Sequence, residues 1–399
     1  MVKIGIVGFG IVGSGVYEVL RTNSDGIAAK TGGIDIKYIL DIRDFSDHAE
    51  SHLFVSDFDT IVNDREVSII VETMGGLTPA YEYTKKALLS GKSVVTSNKE
   101  LVATYGDELL QIAADNKCSY LFEASVGGGI PVIRPLNQCL AANKIEAITG
   151  ILNGSTNYIL TQIIKHGQPF EEALKGAQQN GYAESDPTAD VEGHDACRKI
   201  CILTSLVTGK KIDCDKVYTQ GITNITLRDV EYAEKLGSVI KLIGMSRVED
   251  NGKITVMVAP MMLSLNNPLS HVESVNNAVM VSGNAIGDAM FYGPGAGKLP
   301  TASAVVADVI DIVCGGAGRI MWSKADGEII TPQSEVEFRF FVRVDSGVDK
   351  SEITRVFGAN EYITVCEDEY GFVTCKMTEN MLKQKLSTFV SAGYIRVLD

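Results

Sequence analysis

In the first part of the chain, short apolar runs rich in β-branched residues alternate with segments in which apolar residues recur every three or four positions. The apolar runs predict strands at 34–42, 67–74, 92–98 and 118–125. The segments between them, such as "YEYTKKALLSG" and "GDELLQIAADN", predict helices. This alternation predicts right-handed crossovers and an α/β fold with a doubly wound parallel sheet. Ligands bind such sheets at the strand carboxyl ends, here at 41–43, 72–76, 97–99 and 123–129.

The first predicted strand runs directly into a glycine pattern and then a helix, in "KIGIVGFGIVGSGVYEVL". Gly8, Gly10 and Gly13 have the GxGxxG spacing of a Rossmann dinucleotide site, where they permit a tight turn, an approach to the pyrophosphate and close helix packing. The free N–H groups at the start of the helix would then bind phosphate. A glycine-rich turn without a ligand is the alternative, and the position between strand and helix favours the dinucleotide.

The second strand ends in residues that bear on the choice of dinucleotide. Asp41 lies 28 positions after Gly13, beyond the usual spacing of about 20, so we expect "SDGIAAKTGG" to be a loop extension. An acid at Asp41 would bind the ribose hydroxyls and favour NAD. Arg43 would instead pair with the 2′-phosphate of NADP, and the sequence leaves both cofactors open.

From about residue 131 the pattern changes to strands and helices in mixed order. We expect a dinucleotide-binding domain over 1–130 and an α+β substrate-binding and dimerisation domain over 131–292. The glycine-rich loop in "YGPGAGKLP" opens a helix that returns the chain to the first domain over 293–320.

Residues 335–399 have the order βαββαβ, the split ferredoxin-like topology. We expect these residues to form a separate unit. Modules of this order often regulate or dimerise enzymes, although the fold alone establishes neither role.

Composition narrows the class of protein. The 399 residues carry a formal charge of -14 without basic clusters, which argues against nucleic acid and anionic membranes as partners. No apolar run approaches the roughly 20 residues that span a bilayer, and the start of the chain does not resemble a secretory signal. We therefore expect a cytoplasmic protein.

Eight cysteines are scattered without a CxxC pair. Cys197 and Cys201 lie four positions apart on one helical face, a spacing that suits a metal ion. Because no second pair of ligands accompanies them, we interpret both as reduced thiols of the core. The chain also lacks an HExxH motif, which argues against a zinc hydrolase.

Reduction of a carbonyl by a nicotinamide requires a group that stabilises the new oxyanion and one that supplies a proton. Lys99, at a strand end, and Lys199, on a helix of the second domain, could face each other across the cleft. Asp195 precedes Lys199 by one turn, and Glu184 and Asp186 lie in the preceding turn, where a carboxylate could hold a substrate ammonium. On spacing alone, Asp195 and Lys199 are also compatible with a solvated surface pair.

Six segments in order carry a family resemblance: "GFGIVGSG", "TSNKELVA", "FEASVGGGIPVI", "GILNGSTNYIL", "GYAESDPTADVEGHDACRK" and "FYGPGAGKLPTASAVVAD". Together they make residues 1 to about 320 similar to homoserine dehydrogenase, in a form without a kinase portion ahead of the glycine motif. The resemblance implies reduction of L-aspartate 4-semialdehyde to L-homoserine with NADPH or NADH, on the route to threonine, methionine and isoleucine.

The resemblance also implies roles for individual residues. Lys199 matches the proton donor, Asp195 a substrate contact, and Lys99 the lysine near nicotinamide and carbonyl. Further substrate contacts are implied at Glu184, beside the amino group, and at Asp190 and Gly181. Cofactor contacts are implied at Gly8, Gly10, Ile11, Val12, Gly13, Thr73, Lys99, Gly295 and Gly297. A monovalent cation, usually sodium, is implied with ligands at Glu123 and at the backbone carbonyls of Val126, Gly128 and Ile130. Close backbone approach would explain the glycines equally well.

The C-terminal unit resembles the ACT modules of this family more loosely. Where such modules show Asp-x-Pro-Gly-Val, this chain has "DSGV" at 345–348. Feedback by an amino acid such as threonine is therefore one hypothesis, and dimerisation without an effector is the other. We expect a homodimer or homotetramer.

Three other classes of protein are alternatives. A semialdehyde dehydrogenase forming an acyl phosphate needs a cysteine nucleophile, and no cysteine here lies at a glycine-flanked helix start. Another dehydrogenase of the same fold would lack the "GYAESDPTAD" segment ahead of Lys199. A sensor without catalysis would have lost Lys99 or Lys199, and both are present.

Overall fold

The computed structural model describes residues 1–316, 318–325, 327–359, 361–389 and 391–398. Its first sheet is parallel, with the order β3-β2-β1-β4-β5-β6. The strands are β1 Val2–Val7, β2 Ile34–Leu40, β3 Phe54–Val55, β4 Val67–Glu72, β5 Ser93–Thr96 and β6 Tyr120–Leu121. The helices are α1 Ile11–Thr22, α2 Ser24–Thr31, α3 Phe58–Val62, α4 Ala80–Leu89 and α5 Lys99–Asp115. This arrangement confirms the predicted doubly wound sheet.

Central strands of this sheet are covered on both faces, which is why they appear in the sequence as continuous apolar runs. Ile4, Ile6, Val71 and Val95 are fully buried. The order reverses between β1 and β4, so their carboxyl ends open a crevice beside the glycine turn.

Two local expectations for the first domain were wrong. Residues 24–31 form α2 rather than a loop, and Gly32 ends this helix in the left-handed region (φ +76°). Only Ile27 of α2 is buried, so the segment has no apolar periodicity by which the sequence could reveal it. Lys99 is the first residue of α5 rather than part of a strand end, because Asn98 caps that helix by accepting a hydrogen bond from the Leu101 N–H at 3.0 Å.

The second region builds a mixed sheet covered by helices. Its strands are β7 Ile145–Ile151, β8 Tyr218–Thr219, β9 Ser238–Val248, β10 Ile254–Ser264, β11 Asn276–Gly283 and β12 Gly287–Pro294. Its helices are α6 Gly154–His166, α7 Phe170–Gln179, α8 Thr188–Val191, α9 His194–Thr208 and α10 Leu227–Lys235. The next helix, α11 Lys298–Val313, packs on α1, where a Cβ on Gly15 would lie 2.7 Å from the Lys298 carbonyl oxygen.

The C-terminal segment contains β13 Glu337–Asp345, α12 Lys350–Phe357, β14 Tyr362–Ile363, β15 Glu369–Val373, β16 Met377–Thr378, α13 Glu379–Leu386 and β17 Ser391–Leu398. The order thus contains βαββαβ with the short β16 added. Its strand β17 pairs in parallel with β10, so this segment and the second region share one 11-stranded sheet. Phe357 and Leu382 of α12 and α13 share a core with Met261 of β10. An unpaired β10 would leave an open sheet edge, which this pairing closes.

Candidate active site

Asp195 and Lys199 form a buried pair in the first two turns of α9. Lys199 Nζ donates to Asp195 Oδ2 and to the Leu152 carbonyl, both at 2.7 Å. The two side chains are only 3% and 10% exposed, so a solvated surface pair is excluded. Burial lowers the pKa of Lys199, and Asp195 offsets part of this effect. Burial alone would raise the pKa of Asp195, but the ammonium groups of Lys199 and Lys99 outweigh it and hold that pKa well below its usual range.

Lys99 reaches the same carboxylate from the first domain. Its Nζ forms an ion pair with Asp195 Oδ1, and its side chain remains 42% exposed. No hydrogen bond of normal geometry from a described residue reaches this buried Oδ1. The cluster of Lys99, Asp195 and Lys199 therefore joins the two domains through one carboxylate.

Asn153 belongs to this cluster and was not predicted from the sequence. Its Nδ2 donates to Asp190 Oδ1 at 2.7 Å and to Asp195 Oδ2 at 2.8 Å. Its Oδ1 accepts from the Thr156 N–H at 2.8 Å and so caps α6. Burial raises the pKa of Asp190, and the nearby Asp195 adds to this. An Asn before Gly-Ser-Thr signals a helix cap in the sequence, but nothing there indicates its second role.

The two predicted acids in the turn before α8, Glu184 and Asp186, have different environments. Glu184 is exposed, and its carboxylate has no hydrogen-bond partner among the described residues, while its carbonyl accepts from Gln178 Nε2 at 3.1 Å. Asp186 Oδ1 accepts from the Thr188 N–H at 3.1 Å, so it serves the local turn. Gly181 occupies the left-handed region (φ +73°) at the end of α7. Of these acids, Glu184 alone keeps its carboxylate free for a ligand.

The glycine turn between β1 and α1 has the shape that a dinucleotide needs. Gly8 has φ +91°, and a Cβ on Gly13 would lie 1.9 Å from the Gly8 carbonyl oxygen. Thr73 Oγ1 donates to that same oxygen at 2.7 Å and fixes the turn. A Cβ on Gly10 would meet no atom within 4 Å, so the space over the start of α1 is open. Ile11 and Val12 follow in the first turn of α1, and Ile11 is exposed.

Asp41 and Arg43 form one unit at the end of β2. Asp41 accepts from Arg43 Nε and Nη2, each at 2.9 Å, and from the Phe9 N–H at 2.7 Å. The hydrogen bond from Arg43 lowers the pKa of Asp41 well below its usual range. The Arg43 side chain is 56% exposed, so the guanidinium rather than the carboxylate faces solvent at this end of the crevice.

The loops at 126–130 and 294–297 lie in close backbone contact with each other. A Cβ on Gly128 would lie 2.2 Å from the Gly295 carbonyl oxygen, and the Gly129 N–H donates to the Pro294 carbonyl at 3.2 Å. Gly297, with φ +125°, precedes α11. These glycines are required by the close backbone approach itself.

Glu123 is buried and fully engaged. Its Oε1 accepts from the N–H groups of Val132 and Ile133 at 2.6 and 2.8 Å, and its Oε2 from that of Arg134 at 2.7 Å. The carboxylate therefore holds the start of the next helical turn through these three backbone N–H groups.

No helix within the described ranges is long and apolar enough to cross a membrane.

A Rossmann-like sheet with an open glycine turn, beside two lysines that share one buried carboxylate, defines an oxidoreductase that uses a dinucleotide. Comparisons with known proteins agree. The family description "Homoserine dehydrogenase, NAD binding domain" matches residues 8–123, and "Homoserine dehydrogenase" matches residues 131–310. The chain belongs to the homoserine dehydrogenase family.

Individual relatives give the extent of the likeness. The homoserine dehydrogenase of Bacillus subtilis is 42% identical over 317 residues, which cover 78% of this chain and 73% of that protein. A crystal structure of a homoserine dehydrogenase from Thiobacillus denitrificans superposes with a TM-score of 0.92 at 34% identity, covering 100% of this chain and 98% of that one. A hyperthermophilic archaeal homoserine dehydrogenase in complex with NADPH gives 0.68 at 29% identity, covering 80% and 99%.

Proposed function

We propose that the protein reduces L-aspartate 4-semialdehyde to L-homoserine with NADPH or NADH, in the biosynthesis of threonine, methionine and isoleucine. The observation that carries this proposal is the cluster in which Lys99 of one domain and Lys199 of the other share the buried carboxylate of Asp195. Family membership supplies the substrate class.

The glycine turn fits a dinucleotide because open space lies over Gly10 and none remains at Gly13. Bound there, the nicotinamide would supply a hydride to the carbonyl carbon. Gly8, Gly10 and Gly13 would hold the pyrophosphate together with the first turn of α1, including Ile11 and Val12. Thr73 and the loop with Gly295 and Gly297 complete the cofactor site.

Lys199 gives its proton to the carbonyl oxygen as the alcohol forms. Lys99 stabilises the negative charge that develops on the same oxygen, because Asp195 binds the Lys99 and Lys199 ammonium groups through its two oxygens and so holds them close together. Asp195 positions both lysines, and Asn153 holds Asp195 and Asp190 in place. Glu184 pairs with the substrate ammonium. Gly181, in the left-handed region, allows the chain to turn after α7 and so places Glu184.

A monovalent cation such as sodium fits the loop at 126–130 through backbone oxygens. The carbonyls of Val126, Gly128 and Ile130 accept no hydrogen bond from the described residues, so they are available as ligands, and the Glu123 carbonyl would join them. The Glu123 carboxylate would orient this loop from behind rather than bind the ion.

The protein functions as a homodimer or homotetramer in this proposal. β12 is the edge strand of the large sheet, and it exposes Met290 and Tyr292 (42% and 56%). The ACT-like C-terminal segment would bind threonine as an effector. Light scattering on the purified protein, with and without threonine, tests both points.

The direct test is an activity assay. Purified protein is mixed with L-aspartate 4-semialdehyde and either NADPH or NADH, and the loss of nicotinamide absorbance is followed with and without threonine. Succinate semialdehyde, which lacks the amino group, is the matched control and should react with a much lower kcat/KM. Absence of turnover with both cofactors would contradict the proposal.

A further inference from the structure

Three thiols meet on the side of α9 away from the catalytic pair. Cys197 and Cys201 are 4% and 1% exposed, so their predicted core position is confirmed. The fold also brings Cys214 to them, although it lies 13 positions further along the chain. All three sulfur atoms lie within 4.8 Å of one another, and the Sγ atoms of Cys197 and Cys201 are 4.0 Å apart.

These separations are close to those of a metal–thiolate centre. Sulfurs bound at about 2.3 Å in tetrahedral geometry lie about 3.8 Å apart, so a shift of less than about 1 Å completes the site. An all-sulfur donor set selects soft ions with filled d shells over magnesium or calcium. Cys214 opens a short 3₁₀ turn, Cys214–Lys216, where a small movement costs little packing.

An ion can reach these thiols from solvent. A cavity of about 910 Å³ has Cys197 and Cys214 in its wall, together with His194, Lys211 and Thr219. His194 is exposed on the first turn of α9, and its imidazole is a ligand type that zinc accepts. A fourth ligand to the ion can therefore come from this cavity as water, since His194 does not lie within 4.8 Å of all three sulfur atoms.

We propose that Cys197, Cys201 and Cys214 form a binding site for a thiophilic d¹⁰ metal ion such as Zn²⁺. Binding replaces three S–H bonds by three metal–sulfur bonds and releases three protons, with no change of oxidation state. The ion ties the 214–216 turn to α9, the helix that carries Asp195 and Lys199 on its other side. Occupancy should therefore stabilise the folded protein.

The test uses the full chain, reduced and freed of metal with a chelator, and titrated with Zn²⁺ or with Co²⁺ as a spectroscopic probe. We expect one ion per chain, thiolate-to-cobalt charge-transfer absorption, and a higher Tm. Cys214→Ser should weaken binding by at least about 10-fold. The control is Cys139→Ser, since Cys139 is exposed on a different element and should leave binding unchanged.

A second measurement works on the unsubstituted protein and needs no variant to fold. Alkylation followed by mass spectrometry should show that Zn²⁺ protects Cys214 and leaves Cys139 reactive. Three results would overturn the proposal: no charge-transfer absorption in the folded protein, equal affinity in Cys214→Ser and Cys139→Ser, or protection that does not include Cys214.

Discussion

Replacement of Lys199 by alanine tests the centre of the proposed mechanism. The change removes the ammonium that donates to Asp195 and to the Leu152 carbonyl, both at 2.7 Å. If Lys199 is the general acid, kcat should fall by about 10² to 10⁴. Because the nicotinamide site lies in the other domain, the Kd for NADPH should change little.

The same substitution should also cost stability, because the pair is buried rather than solvated. Removing one partner of a buried ion pair typically costs about 3–5 kcal/mol. Asp195 keeps Lys99 and Asn153 as partners, so we expect about 3 kcal/mol, the lower end of this range. Urea unfolding measures this cost independently of activity.

The matched control is Lys165→Ala. Lys165 pairs with Glu273 on the surface, where the side chains are 48% and 44% exposed. This variant should lose less than about 1 kcal/mol and keep its kcat. Lys199→Arg keeps the positive charge but cannot release a proton near neutral pH, so it should be nearly inactive as well. A folded Lys199→Ala protein with kcat close to that of the unsubstituted chain would refute the assignment.

Three further predictions follow from other parts of the first domain. Gly13→Ala should abolish cofactor binding, measured by NADPH fluorescence titration, because the new Cβ would lie 1.9 Å from the Gly8 carbonyl oxygen; unchanged affinity would contradict the proposed cofactor site. Arg43→Ala should raise the Kd for NADPH by about 10-fold and leave the Kd for NADH nearly unchanged. The reason is that the Arg43 guanidinium, which binds the Asp41 carboxylate, faces solvent and can pair with a 2′-phosphate. Equal effects on both cofactors would show that Arg43 does not bind the 2′-phosphate. Burial raises the pKa of Glu72 from 4.5 to about 7, so the folded state holds a proton that the unfolded state releases in this window. The free energy of unfolding should therefore fall by up to about 3 kcal/mol between about pH 5 and about pH 8, and Glu72→Gln, compared by urea unfolding at both pH values, should lack this part of the slope.

The sequence predicted β1, β2, β4, β5 and β6 of the first sheet because their burial leaves continuous apolar runs, and it did not predict the two-residue edge strand β3. It did not predict β9, since Lys241 interrupts the apolar pattern there. The structure shows why a lysine is tolerated: its Nζ donates to the Val272 carbonyl at 2.6 Å and to Asn157 Oδ1 at 3.1 Å. Only the fold supplies those acceptors, so no local pattern could have indicated them.

The same limit applies to the candidate sites. The sequence predicted Lys99, Asp195 and Lys199 as site residues because recognisable motifs surround them. It did not predict that Asp195 and Lys199 are buried or that both lysines bind the Asp195 carboxylate. Asn153 and Cys214 could not be predicted, because each acquires its partners from segments more than ten residues away. Contacts of this kind depend on how strands and helices pack, which periodicity does not encode.

The pairing of β17 with β10 has a consequence for synthesis of the protein on the ribosome. β9 and β10 can pair as soon as residues 238–264 have emerged, and β8 can cover Met257 and Val258 on the other edge of β10. The part of that edge at Met261–Leu263 stays open until residues 391–398 follow. During that interval about 130 residues must be added while a strand containing Met261, Met262 and Leu263 lacks its neighbour. Chaperones should therefore engage the nascent chain most strongly in this interval, and loss of the β17 segment should lead to aggregation rather than to a shortened but folded enzyme.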